Sequence, residues 1–124
     1  MANSIPLLTE LIHNLPWKKI EPSPGKALDI FRVATLVTGC IELVKLNQGL
    51  YRPHAHDNVD SDITVMEGNG VLILDGEIFD YNTGSRFYVS RGVSHGLGVN
   101  QPTLLFTIQT GEIDSNGTLD YRYT

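Results

Sequence analysis

The chain changes hydrophobic period once. Between residues 5 and 15 the apolar positions Leu7, Leu8, Leu11, Ile12 and Leu15 recur three and four apart, which is the spacing of one helix face. Ser4 can cap such a helix, Pro6 is tolerated in its first turn, and Pro16 ends it. His13 falls nearly opposite the apolar stripe and is expected to face solvent. After Trp17 the helical period is gone. Short segments rich in Val, Ile, Leu, Phe and Tyr take over, each bounded by Gly, Pro, Asn or Asp. They predict strands at 27–33, 39–46, 63–67, 71–74, 77–81, 87–89, 96–99, 104–110 and 119–123. Asn69-Gly70, Asp75-Gly76 and Asn116-Gly117 carry the residues that a type I′ hairpin turn needs, and "EPSPGK" at 21–26 reads as a loop. Many short strands joined by turns predict an all-β sandwich or barrel behind one short N-terminal helix.

Composition narrows the class without changing it. A chain of 124 residues suggests a single domain over 1–124, large enough to fold on an apolar core without a disulfide or structural metal. The net charge is −5 and no basic stripe is present, which argues against a nucleic-acid surface. Cys40 is the only cysteine, so an internal disulfide and a thiolate zinc cluster are both excluded. Such usage fits a reducing, cytoplasmic setting, and Cys40 reads as a small buried hydrophobe rather than a nucleophile. The N-terminal stretch lacks the charged and apolar regions of a signal peptide, and no run approaches the ~18 apolar residues of a membrane span. Asn116-Gly117-Thr118 matches a glycosylation sequon but reads better as a turn.

The candidate chemistry lies in the histidines. His54 and His56 stand two apart, and in a strand residues i and i+2 share a face. Two imidazoles on one face can hold a metal at about 2.0–2.1 Å from each nitrogen, or can simply face solvent. A third ligand must come from elsewhere, and His95 is the other histidine in β context. Arg52 and Arg91 lie near these histidines in sequence. Either could meet a substrate carboxylate, although a surface arginine is the simpler reading of both.

Residues 49 to 100 resemble the two sequence motifs of the cupin family. The first motif is matched by Gly49, His54-Ala55-His56, Ser61 and Gly68, and the second by Gly84, Ser90-Arg91-Gly92, His95 and Asn100. The resemblance implies an antiparallel jelly-roll, or double-stranded β-helix, barrel. It implies metal ligands at His54, His56 and His95, with the family's glutamate position falling on Ser61. Other departures are smaller: Gly49 lies one residue closer to the histidines than the motif has it, Ser90 replaces a proline, and Asn100 comes one place late. A serine hydroxyl is a poor ligand for a divalent ion. The site is therefore three histidines with open positions, three histidines with Asp60 or Asp62 brought in by a bulge, or no metal site at all. Strand alternation opposes the second, because neighbours of an inward Ser61 face outward.

Three neutral imidazoles would leave the full charge of a divalent transition metal (Fe, Zn, Ni or Cu) to attract an anionic or chelating small molecule. The three-His pattern resembles that of small iron dioxygenases. The resemblance also allows a ligand-binding sensor, or an isomerase or epimerase that works without metal through a His or Tyr base. It implies a homodimer as the common assembly. Ser61, Tyr88, Ser94 and Gln109 are possible polar groups of the pocket, or ordinary strand side chains.

Overall fold

The computed structural model describes residues 8–23, 25–113 and 119–124. One short helix, α1 (Leu8–His13), precedes nine strands: β1 (Lys18–Ser23), β2 (Lys26–Leu36), β3 (Gly39–Leu46), β4 (Gly49–Ala55), β5 (Val59–Leu74), β6 (Glu77–Tyr81), β7 (Arg86–Val89), β8 (His95–Gly111) and β9 (Arg122–Tyr123). The helix is shorter than its apolar stripe, with Leu11 55% exposed. Its end is held by the Trp17 indole, which donates to the Ile12 carbonyl at 2.8 Å. The capping pair Ser4 and Pro6 and the Asn116-Gly117 turn lie outside the described residues.

All strand pairings are antiparallel, and β5 and β8 organise them. These two strands run beside each other for most of their length, and each serves two walls. The C-terminal half of β8 continues into β3, β2 and β1, while the N-terminal half of β5 carries β7. On the other wall, the N-terminal half of β8 carries β4 and then β9, and the C-terminal half of β5 carries β6. The sheet curls on itself, and its buried core draws Leu46, Ile63, Val65 and Leu105 together with Tyr51, Leu72 and Leu97. Two buried hydroxyls are satisfied within this core. Tyr81 Oη bonds Thr103 Oγ1 at 2.7 Å, and Tyr51 Oη donates to the Ala27 carbonyl at 2.9 Å.

The fold class matches the expectation, while several boundaries do not. Asp75-Gly76 forms the expected tight turn, with φ of 50° and 81° and Leu74 paired to Glu77. Asn69-Gly70 is no turn: β5 passes straight through it as a run of bulges. A Cβ on Gly70 would sit 2.1 Å from the Gly98 carbonyl oxygen, so glycine serves close strand approach here. The break expected between 99 and 104 is likewise continuous strand in β8. Of "EPSPGK", residues 21–23 end β1 and Lys26 opens β2, so the expected loop is mostly strand, with Gly25 in a turn and Pro24 outside the described residues. Pro22 is accommodated because β1 is an edge strand with a register irregularity between Ile20 and Ser23.

Candidate metal centre

His54 and His95 face each other directly across β4 and β8, and His56 lies one residue past the end of β4. The register that sets this pairing contains a bulge: Tyr51 opposes Leu97, yet His54 opposes His95. Arg52-Pro53 therefore spans the width of Gly96 alone. Proline suits the position because it has no N–H to lose from the ladder. Glycine is required opposite, since a Cβ on Gly96 would lie 2.8 Å from the Tyr51 carbonyl oxygen and 2.9 Å from the Pro53 nitrogen. The bulge lets both Tyr51 and His54 line the same cavity.

The three imidazoles converge. One ligand atom from each of His54, His56 and His95 lies within 4.8 Å of the others. Ring centroids are 4.3 Å apart for His54 and His95, 5.0 Å for His54 and His56, and 5.4 Å for His56 and His95. Each Nδ1 turns toward a backbone carbonyl: that of Val93 at 3.0 Å for His95, that of Asp120 for His56, and that of Arg52 at a long 3.5 Å for His54. A carbonyl only accepts, so Nδ1 of His56 and of His95 carries the proton and Nε2 keeps the lone pair that can meet a metal. Burial, reinforced by His95 and then His56, lowers the His54 imidazole to about 3, and burial also lowers His95. Both rings are thus neutral at ordinary pH, with lone pairs available.

The cavity at this cluster measures about 600 Å³ and is lined mainly by apolar side chains from both walls. Ser61 faces it and is buried, donating to Gln109 Oε1 across the β5–β8 ladder. Its neighbours point away. Asp60 pairs with Arg91 and Asp62 with Arg86, both on the outer surface, so neither aspartate brings a carboxylate to the histidines. Arg91 and Tyr88 are surface residues, and Ser94 bonds Thr124. Cys40 is buried, and burial raises its thiol to about 11, which leaves it inert. His13 is exposed, as its helical position requires.

Residues 119–124 supply what sequence reasoning missed. Tyr121 stacks on His54, with ring centroids 4.6 Å apart and planes 24° from parallel. The Asp120 carboxylate accepts from the backbone N–H groups of Asp57 and Asn58, at 2.5 and 3.2 Å, while its carbonyl accepts from His56 Nδ1. The segment thus fixes the orientation of one imidazole and covers another. The only signal in the sequence is the alternation of Leu119, Tyr121 and Tyr123, all of which line the cavity.

The sequence matches no protein-family model and no curated protein. Solved structures do match it. KdgF from Halomonas sp. superposes with a TM-score of 0.72 at 24% identity, over 84% of this chain and 93% of that one. Salicylate 1,2-dioxygenase from Pseudoaminobacter salicylatoxidans, determined with gentisate, gives 0.69 at 18% identity over 83% of this chain, which spans only 30% of the dioxygenase. A conserved protein with a double-stranded β-helix domain from Klebsiella pneumoniae gives 0.66 at 16% identity, over 85% and 90% of the two chains. The fold is therefore the double-stranded β-helix, with a three-histidine cluster in its cavity. No helix among the described residues is long and apolar enough to cross a membrane.

Proposed function

We propose that this chain is a cupin-type metalloenzyme that holds one divalent transition metal on His54, His56 and His95 and transforms a small organic molecule in the adjoining cavity. The observation that carries this reading is the convergence of three imidazoles whose Nδ1 atoms are all turned toward main-chain carbonyls. That arrangement fits a metal. It sets the tautomers of His56 and His95, brings one nitrogen from each ring within 4.8 Å of the others, and keeps His54 and His95 neutral. An all-imidazole set suits Fe, Zn, Ni or Cu. When bound, such an ion supplies a Lewis acid or, if it is iron, a binding position for dioxygen beside the substrate. The chain itself orients the rings, surrounds them with mainly apolar walls, and offers the ion no carboxylate ligand among the described residues. Oxygenation is the reaction class we favour, supported by the carboxylate-free ligand set and by the structural likeness to a dioxygenase.

Elemental analysis of protein purified without chelator tests the metal. About one transition metal per chain is expected, and His54→Ala should remove it while leaving a folded barrel. Oxygen uptake by the iron-loaded protein across a panel of thiols and diketones then tests the reaction class. Absence of any bound transition metal, with no uptake on adding Zn²⁺ or Fe²⁺, refutes the proposal. Tight ligand binding without turnover would replace the enzyme by a ligand sensor.

A further inference from the structure

The chain has five arginines, and four of them end on carboxylates. Arg32 pairs with Glu42, Arg86 with Asp62, Arg91 with Asp60 and Arg122 with Asp57. Arg52 has no carboxylate partner among the described residues. It lines the cavity, as Arg32 does, and stands two residues before His54 on β4. Its guanidinium lies over the Tyr123 ring, 3.9 Å from the centroid. Tyr123 is itself placed by its hydroxyl, which donates to the Pro22 carbonyl at 2.7 Å, and by an edge-on contact with Tyr121.

A guanidinium stacked by its face keeps its N–H groups in the plane, directed past the ring. That edge matches the two oxygens of a carboxylate. The other wall residues complete the description of a ligand. Leu28, Ile30, Val44, Ile63, Leu97 and Leu105 make the wall apolar. The one buried acid among the described residues, Glu42, is already taken by Arg32 at 2.9 Å, so its negative charge is compensated.

We propose that the ligand is an amphipathic carboxylic acid, bound with its carboxylate on Arg52 and its apolar body against this wall. The part to be transformed then reaches the histidine cluster. Only that last contact rests on the metal reading; the Arg52 contact requires no metal.

The test is calorimetric titration of the full chain, metal-free and zinc-loaded, with 4-phenylbutanoate and with its neutral isostere 4-phenylbutanamide. The acid is expected to bind at least about tenfold more tightly than the amide, the effect of one charge-assisted contact. R52Q should weaken the acid by a similar factor and leave the amide unchanged, while R52K should recover part of the loss. R91Q, which removes the same charge on the outer surface, should change neither. Arg52 is solvent-exposed, so R52Q is expected to fold, and a thermal melt confirms that. The proposal falls if R52Q binds the acid as the parent does, or if acid and amide bind alike. Zinc uptake is read separately on the same samples. Uptake without dependence on Arg52 sinks this proposal alone. Dependence on Arg52 without uptake sinks the metal reading alone.

Discussion

Lowering the pH from 7.5 to 5 should destabilise the metal-free protein through its histidine cluster, and the size of the effect follows from His54. Its imidazole titrates near 6.5 in the unfolded chain and near 3 in the folded one, because burial and the two neighbouring rings oppose a charge. Between those values the unfolded state binds the extra proton. Stability is therefore complete above about pH 6.5 and is lost as the pH falls toward 3. At pH 5 the folded chain has been denied a proton over about 1.5 pH units, which costs about 2 kcal/mol. His95 is shifted the same way by burial and adds to the loss. The exposed carboxylates do not confuse this window. Asp57, Asp60 and Asp62 are held below their usual range by hydrogen bonds from Arg122, from the Arg91 backbone and from Arg86, so they titrate at lower pH. Urea denaturation of chelator-treated protein at half-unit pH intervals reads the slope, and His54→Ala should flatten it. A stability that stays level from pH 7.5 to 5, or an unchanged slope in His54→Ala, would refute the buried-cluster account.

Two further outcomes follow from the scaffold around the cluster. Gly96→Ala places a methyl group against the backbone of Tyr51 and Pro53 and should cost about 1–3 kcal/mol in urea denaturation, with zinc affinity falling because the His54–His95 register moves. Asp120→Ala removes the carboxylate that holds the backbone of Asp57 and Asn58, which loosens the carbonyl on His56. Competition titration against a zinc indicator should show affinity reduced by about tenfold or more, with little change in melting temperature.

The strand class, the tight turn at Asp75-Gly76 and the grouping of His54, His56 and His95 were all legible, because each depends on local period or on motif spacing. What was hidden depends on long-range geometry. Asn69-Gly70 carries the residues of a hairpin, yet Gly70 is there so that β5 can lie against the Gly98 carbonyl, a contact between strands distant in sequence. The bulge at Arg52-Pro53 reverses the simple alternation of β4, which is how both Tyr51 and His54 line the cavity. The roles of Asp120 and Tyr121 were out of reach, since they arise from residues 119–124 folding back more than sixty positions onto the histidine loop.

The continuity of β5 and β8 has a consequence for how a ligand comes and goes. Both walls of the cavity are woven from the same two strands, so the two walls cannot move independently of β5 and β8. Tyr121 and Tyr123 line the cavity beside the histidines, so a ligand that reaches the cluster meets those two rings.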